Sequence, residues 1–335
     1  MLKNVGRYNA YISAIAHYFP EKVVPNAHFE SYLDTSDEWI VTRTGIRERR
    51  YEDRDKPTSY MATQAVKQLL KERGITAEDI ELIIFCTVTP DMNYPSTASV
   101  LQNNIGAKKA WGFDLNAACS SFIFGLMTGV QFIESGTHSK VLVVGADKMS
   151  ILANPNDRNN IILFGDAASA VLLEPTEDKT TGVLDAVLYM DGVGGQYLKQ
   201  VAGGSAMPTT HETVDKGLQY IYQDGKAVFK EAVKGMADVS VEIMEKNNLQ
   251  PEDVAYLVPH QANLRIITAT ADRMKISMDK VIVNINKYGN TTSATIPSCI
   301  SEYYHQGKIK KGDNLVLSSF GAGFTWGSIL IKWAI

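Results

Sequence analysis

Apolar positions along this chain follow two alternating periods. Short runs of mostly β-branched and aliphatic residues alternate with longer stretches in which apolar residues recur every three or four positions. The short runs predict strands over Tyr11–Ala16, Leu82–Val88, Gly112–Leu115, Val141–Gly145 and Ala168–Leu173, and again over Val254–Val258, Val281–Asn284, Leu315–Ser318 and Ile329–Trp333. The longer stretches predict helices over Ser36–Thr44, Ser59–Arg73, Ala98–Asn104, Ala227–Asn247 and Ile296–Gln306, with another from about Cys119 to Ser135. Gly45 and Gly74 stand where the first two of these should stop. Strands alternating with helices define an α/β protein.

The pattern repeats. Ala77-Glu78-Asp79-Ile80 has its counterpart in Pro251-Glu252-Asp253-Val254, and Val141–Val143 falls on Leu315–Leu317 at the same offset of 174. Tyr11–Ala16 lands on Asp185–Met190, which is also strand-like. Only the end slips: Ser169 matches Ser328 at an offset of 159. The first half therefore carries about 15 extra residues, around 149–166. Two similar halves are expected, residues 1–178 and 179–335. A pseudo-dyad between them would bring together points that lie far apart in the chain.

Composition narrows the class. Hydrophobic residues make up 45% and charged residues 21%, which excludes a disordered or low-complexity chain. The net charge of −4 argues against a nucleic-acid binder. Cys86, Cys119 and Cys299 are too few for a disulfide framework. The first twenty residues lack a signal-peptide core, and Leu82–Cys86 and Val141–Val144 are far shorter than the ~20 residues of a membrane span. A soluble cytoplasmic protein with no membrane partner is the expectation.

The repeat also aligns the polar residues. Asn116-Ala117-Ala118-Cys119 maps onto Asn290-Thr291-Thr292-Ser293, and Cys86 maps onto His260. Cys119 precedes a long predicted helix, whose dipole and free N–H groups would lower its thiol pKa. A buried structural cysteine is the alternative. His260 follows a predicted strand in Val258-Pro259-His260-Gln261, at the strand end where open α/β sheets place ligands. A core histidine would read the same. Asn290, after Gly289, is by itself a loop or cap residue. Gly321-Ala322-Gly323 is either an oxyanion-binding turn or a plain tight one. Gly192-Val193-Gly194-Gly195 and Gly203-Gly204 lack the strand–glycine–helix context of a nucleotide loop. The histidines show no metal-ligand spacing, so no metal is expected.

Six ordered motifs tie these residues together: Thr35–Ile46, Asp114–Phe122, Phe164–Val171, Pro259–Ile266, Tyr288–Ala294 and Ser319–Gly327. With them the sequence resembles the beta-ketoacyl-acyl-carrier-protein synthase III group of condensing enzymes, in the thiolase-like superfamily. The resemblance implies a five-layered αβαβα sandwich of two similar halves. It implies a catalytic set of Cys119, His260 and Asn290, with an oxyanion hole from the backbone N–H groups of Cys119 and Ala322. Family members commonly carry glycine at the latter position. Thiolases have a second cysteine, and elongating synthases a second histidine, where Asn290 stands.

The same resemblance implies coenzyme A contacts at Trp39, Arg43, Thr44 and Arg158, with Trp39 and Arg158 on either side of the adenine. Gly225, Phe229 and Asn263 would line the pantetheine tunnel. Lys230, Arg265 and Arg273 would dock an acidic carrier protein, and Tyr94 of a neighbouring subunit would cap the primer pocket of a homodimer. The implied activity is decarboxylative condensation of a short acyl-coenzyme A with malonyl-acyl-carrier-protein, initiating fatty acid synthesis, with acyl-coenzyme A as substrate and no cofactor. A related condensing enzyme of secondary metabolism, with a different primer, is the alternative. The order Cys, His, Asn also occurs in papain-like proteases, but their local cysteine signature is missing here. A catalytically dead partner subunit would usually lose the nucleophile, and Cys119 is present.

Overall fold

A computed structural model describes residues 8–335; residues 1–7 of the predicted first half lie outside the described residues. Nine strands build its two main sheets: β1 (Asn9–Tyr18), β2 (Leu82–Cys86), β3 (Trp111–Leu115), β4 (Val141–Lys148), β5 (Asp166–Thr176), β6 (Gly182–Met190), β7 (Tyr256–Pro259), β8 (Asn314–Gly321) and β9 (Thr325–Lys332). Seven principal helices accompany them: α1 (Asp37–Thr44), α2 (Thr58–Arg73), α3 (Thr97–Ile105), α4 (Ser121–Glu134), α5 (Gly225–Lys246), α6 (Leu264–Met274) and α7 (Thr295–His305).

The first sheet runs β1-β5-β4-β2-β3 and the second runs β6-β9-β8-β7. Without β3 the two orders are the same. The register repeats too: Leu82 pairs with Val141 in parallel, and Tyr256 with Leu315, each partner displaced by 174. At the slipped end, Gly145 faces Ser169 while Ser319 faces Gly327. Gly327, not Ser328, is therefore the counterpart of Ser169. One residue matters here because it exchanges the faces of the sheet. The extra segment forms the β4–β5 connection, residues 149–165, whereas Ala322–Phe324 suffices between β8 and β9.

Helices α4 and α7 pack on both sheets and form the central layer; α2 and α3 cover the outer face of the first sheet, and α5 and α6 that of the second. The result is a five-layered αβαβα sandwich. Its centre joins Leu82, Ile84, Phe122, Leu126 and Val130 to Ile296, Ile300, Leu315 and Ile329 in one apolar cluster. That burial explains why α4, SFIFGLMTGVQFIE, is apolar on nearly every side.

The predicted strand Val281–Asn284 does not form. Only an isolated bridge joins Val281 to Leu257. The Gln261 side chain takes over the hydrogen bonding a strand would have used. Its Nε2 donates to Ile282 O at 3.1 Å, and its Oε1 accepts from Asn284 N at 3.0 Å and Ile285 N at 3.2 Å. The chain turns there into a short helix, Ile285–Tyr288, and returns to the middle of the molecule at Asn290.

The inserted segment meets it there. Asn290 N donates to Leu163 O at 2.8 Å, and Gly165 N to Asn290 O at 3.0 Å. From below, the buried Arg49 guanidinium donates to Ile162 O at 2.5 Å. A Cβ on Gly165 would stand 2.2 Å from Tyr288 O. Gly165→Ala is therefore expected to destabilise the protein by about 1–3 kcal/mol, the range for overpacking. Urea unfolding measures this, and an unchanged midpoint would contradict the close approach.

Candidate active site

Equivalent short turns precede α4 and α7: Ala118–Ser120 and Thr292–Ala294. Each contains a non-glycine residue with positive φ, +50° at Ala118 and +53° at Thr292. Each is closed by an asparagine two residues earlier. Asn116 Oδ1 accepts from Ala118 N at 3.1 Å, and Asn290 Oδ1 accepts from Thr292 N at 2.9 Å. Asparagine suits this because its side chain satisfies a backbone N–H that the turn would leave free. The two turns pack against each other across the pseudo-dyad. Cys119 sits in the first turn, before α4 rather than within it.

With Oδ1 committed to Thr292, Asn290 offers its amide nitrogen, a pure donor, to the cavity that it lines. His260 leaves the end of β7 and is buried. Its Nδ1 lies 2.7 Å from Thr295 Oγ1, which in turn donates to Thr292 O at 3.0 Å. A hydroxyl has one proton, so Nδ1 must carry the hydrogen of the 2.7 Å contact. The neutral ring then presents the Nε2 lone pair, and this buried atom has no hydrogen-bond partner.

Burial dominates the electrostatics. It lowers the His260 pKa to about 3, so the ring is neutral at any ordinary pH. It pushes the Cys119 thiol up to about 12, with the Asp147 carboxylate adding to the rise. The expected depression by the helix start is thus outweighed: the half-buried residue lies in the cavity wall before the helix, where burial and the Asp147 carboxylate both penalise thiolate. The resting pair is a thiol and a neutral imidazole.

Cys119, His260 and Asn290 share one cavity of about 530 Å³. Trp39, Arg43, Thr44, Gly225, Phe229, Asn263 and Arg265 line it as well. Helix α1 brings the first three. Ser36 Oγ caps it by accepting from Trp39 N at 3.1 Å, and Gly45 ends it in the left-handed region. Asn263 caps α6 and donates to Arg43 O at 2.9 Å, tying the two helices together. The Thr44 hydroxyl is used internally, donating to Ile40 O at 2.6 Å. Arg43 and Arg158 both lie over the Trp39 ring, at 4.5 and 5.1 Å, and Arg158 is paired with Asp34 at 3.0 Å.

Other expected residues sit apart from the cavity wall. Lys230 on α5 and Arg273 on α6 are exposed on two helices that pack together. Tyr94 is 86% exposed and does not reach the cavity of its own chain. Ala322 does not line the cavity either; its neighbour Gly321 does, so close that a Cβ there would be 2.8 Å from Cys119 N. Ala322 is not among the residues with positive φ, which explains why alanine is tolerated. Sequence reasoning missed the lining residues Phe320 and Ile162–Phe164, and also Thr295 and Asp147. Phe320 lies inside a quoted motif, and Thr295 lies just past one.

Because both groups are neutral at rest, the alkylation rate of Cys119 by iodoacetamide is expected to keep rising above pH 9, with no step at the ordinary histidine pKa of about 6.5. Mass spectrometry of the Cys119 peptide across pH measures this. A step near that pH that vanishes in His260→Ala would contradict the neutral pair.

Comparison with known proteins agrees with this architecture. Family models described as 3-oxoacyl-[acyl-carrier-protein (ACP)] synthase III and its C-terminal region match residues 113–192 and 244–333. A beta-ketoacyl-[acyl-carrier-protein] synthase III of Chlorobaculum tepidum is 56% identical over 326 residues, covering 97% of this chain and 99% of its own. The crystal structure of 3-oxoacyl-[acyl-carrier-protein] synthase III from Aquifex aeolicus superposes with a TM-score of 0.89 at 40% identity, over 97% of this chain and 100% of that one. A priming beta-ketosynthase from the R1128 polyketide pathway superposes at 0.90 with 30% identity, over 98% and 97% of the two chains. A thiol, an imidazole and an amide donor meeting at the dyad of a thiolase-like sandwich, with such relatives along the whole chain, place it in the beta-ketoacyl-[acyl-carrier-protein] synthase III family of condensing acyltransferases.

Proposed function

We propose that this enzyme condenses a short acyl-coenzyme A with malonyl-acyl-carrier-protein, releasing CO₂ and forming the β-ketoacyl-carrier-protein that starts fatty acid synthesis. The observation that carries the reading is the meeting of Cys119, His260 and Asn290 on one cavity in a chain of this family. The secondary-metabolism alternative has less support, since the R1128 synthase is 30% identical and the Chlorobaculum relative 56%.

In the first half-reaction His260 Nε2 accepts the Cys119 proton, and the thiolate attacks the thioester carbonyl. The backbone N–H of Cys119 would hold the oxyanion, with that of Ala322, next to the lining residue Gly321, as the second donor. Coenzyme A leaves as its thiolate and takes that proton from His260, which returns to the neutral ring. Malonyl-carrier-protein then enters the same cavity. As its carboxylate departs as CO₂, the electron pair moves onto the thioester oxygen. Asn290 Nδ2 donates to that oxygen, as does His260 Nε2, which takes a proton from water as the malonyl carboxylate arrives beside the ring. The resulting carbanion attacks acyl-Cys119, expels the thiolate, and the thiolate recovers its proton from His260. No step calls for a metal or redox cofactor.

Trp39, Arg43 and Thr44 on α1, with Arg158, would take the nucleotide end of coenzyme A, and Gly225, Phe229 and Asn263 the pantetheine arm. The 5.1 Å between Arg158 and Trp39 is less than the roughly 7 Å that an intercalated ring needs, so Arg158 would have to swing outward. Lys230, Arg265 and Arg273 would dock the acidic carrier, although Arg273 lies 4.0 Å from Asp238 and shares its charge with that carboxylate. Arg265 also lines the cavity, over the Phe229 ring at 4.8 Å, so it would serve coenzyme A as well. Among the described residues the first sheet ends at β3, an edge with no further strand paired to it, and Trp111 there is exposed. Such an edge suits pairing with a second copy, which would carry Tyr94 towards the neighbour's pocket. Among the described residues no helix is long and apolar enough to cross a membrane.

Incubation with acetyl-coenzyme A is expected to add one acetyl group to the intact protein and none to Cys119→Ala. Asn290→Ala should keep self-acetylation and lose about 10²–10³ in malonyl decarboxylation, the usual effect of removing one such donor. Acetylation of Cys119→Ala, or wild-type decarboxylation by Asn290→Ala, would overturn these roles.

A further inference from the structure

Asp147, near the end of β4, is fully buried and stands outside the mechanism above. Its Oδ1 accepts from Val88 N at 2.8 Å, Thr89 N at 3.2 Å, Thr87 Oγ1 at 2.9 Å and Thr89 Oγ1 at 3.1 Å. Its Oδ2 accepts from Ser293 N at 3.1 Å and lies 2.6 Å from Ser293 Oγ, which also reaches Cys86 O at 2.9 Å. Burial raises the Asp147 pKa, and the hydrogen bonds from Ser293, Val88 and Thr87 oppose that rise. Among the described residues no lysine, arginine or histidine forms an ion pair with it. The adjacent Lys148 turns to the carbonyls of Asp53 and Lys56. A buried carboxylate with this many donors and no cation is expensive to hold and needs a reason.

The reason lies in what it joins. One oxygen gathers the loop after β2 in the first half. The other holds Ser293, in the turn of the second half that follows Asn290. The contact is tight: a Cβ on Gly145, two residues earlier, would be 2.5 Å from Ser293 O. The equivalent arrangement around the nucleophile uses neutral groups. Gly321, the counterpart of Asp147 at 174 residues, presses its bare backbone on the Cys119 turn. Ser319 Oγ donates to Cys119 O at 3.0 Å and Thr325 Oγ1 to Ala117 O at 2.8 Å. The anion is thus kept off the position adjoining the thiol and placed under the turn that carries the amide donor.

We propose that Asp147 is an anionic positioning residue for the second half-reaction, clamping the Thr292–Ser293 turn so that the Asn290 amide stands where the malonyl thioester oxygen gains charge. This rests on the functional reading above and deepens it. A shift of about 1 Å in such a group can lower a rate a hundredfold.

The test compares wild type, Asp147→Asn and Ser293→Ala in three measurements: self-acetylation by acetyl-coenzyme A, decarboxylation of malonyl-carrier-protein, and the pH dependence of Cys119 alkylation. Asp147 is the charged group that acts on that thiol, and His260, which shares its cavity, is neutral at rest. Asp147→Asn is expected to lower decarboxylation at least tenfold more than self-acetylation, and to move alkylation to lower pH. Ser293→Ala keeps the charge; it should show the same bias between half-reactions, more weakly, with alkylation unmoved. If Asp147→Asn does not fold, the bias in Ser293→Ala decides. Equal losses in both half-reactions, or unmoved alkylation in folded Asp147→Asn, would overturn the proposal. A wild type that neither acetylates nor decarboxylates would instead overturn the functional reading itself.

Discussion

Two short turns must touch, and the site depends on that contact. Ala118–Ser120 and Thr292–Ala294 approach across the pseudo-dyad closely enough that backbone fills the spaces where side chains would stand at Gly145 and Gly321. Each turn includes a strained positive-φ residue, at Ala118 and Thr292. Such strain costs roughly 1–3 kcal/mol per residue and persists only where the surroundings hold it. Here the surroundings are the opposite half. The contact brings a thiol from one half and an imidazole and amide from the other onto one cavity.

The same contact sets the chemistry. Burial between the two halves raises the thiol, lowers the imidazole and leaves both uncharged at rest. Thiolate need not be stored. It forms when an acyl group arrives and the proton has somewhere to go. Asn290 is prepared differently: Thr292 N–H holds its oxygen, so its nitrogen is committed to donating before any substrate enters. Thr295 does the corresponding work for His260 by fixing which ring nitrogen carries hydrogen.

Much of this architecture was legible in the chain because duplication leaves a register. The offset of 174 relates β2 to β7, β4 to β8, and the two turns to each other, and it aligned Asn116 with Asn290 before any contact was known. Other features leave no local mark. The Val281–Asn284 run has the composition of a strand, yet Gln261, 20 residues earlier in the chain, takes its hydrogen bonds. A cysteine before a helix reads as acidic until its burial is known, and burial depends on the opposite half. Asp147 belongs to no motif, since its six donors are scattered between Thr87 and Ser293. Tyr94 and the β3 edge face outward, so one chain cannot show what they meet.

One cavity at the dyad is held to serve both half-reactions through the same sulfur. The direct measurement is a single-turnover chase. Acetyl-enzyme is prepared, freed of coenzyme A and mixed with malonyl-carrier-protein, while the Cys119 peptide and the carrier are followed by mass. The acetyl group is expected to leave Cys119 at the rate at which acetoacetyl-carrier-protein forms, one for one. Acetyl that stays on Cys119 while product forms, or that leaves only as free acetate, would contradict the account.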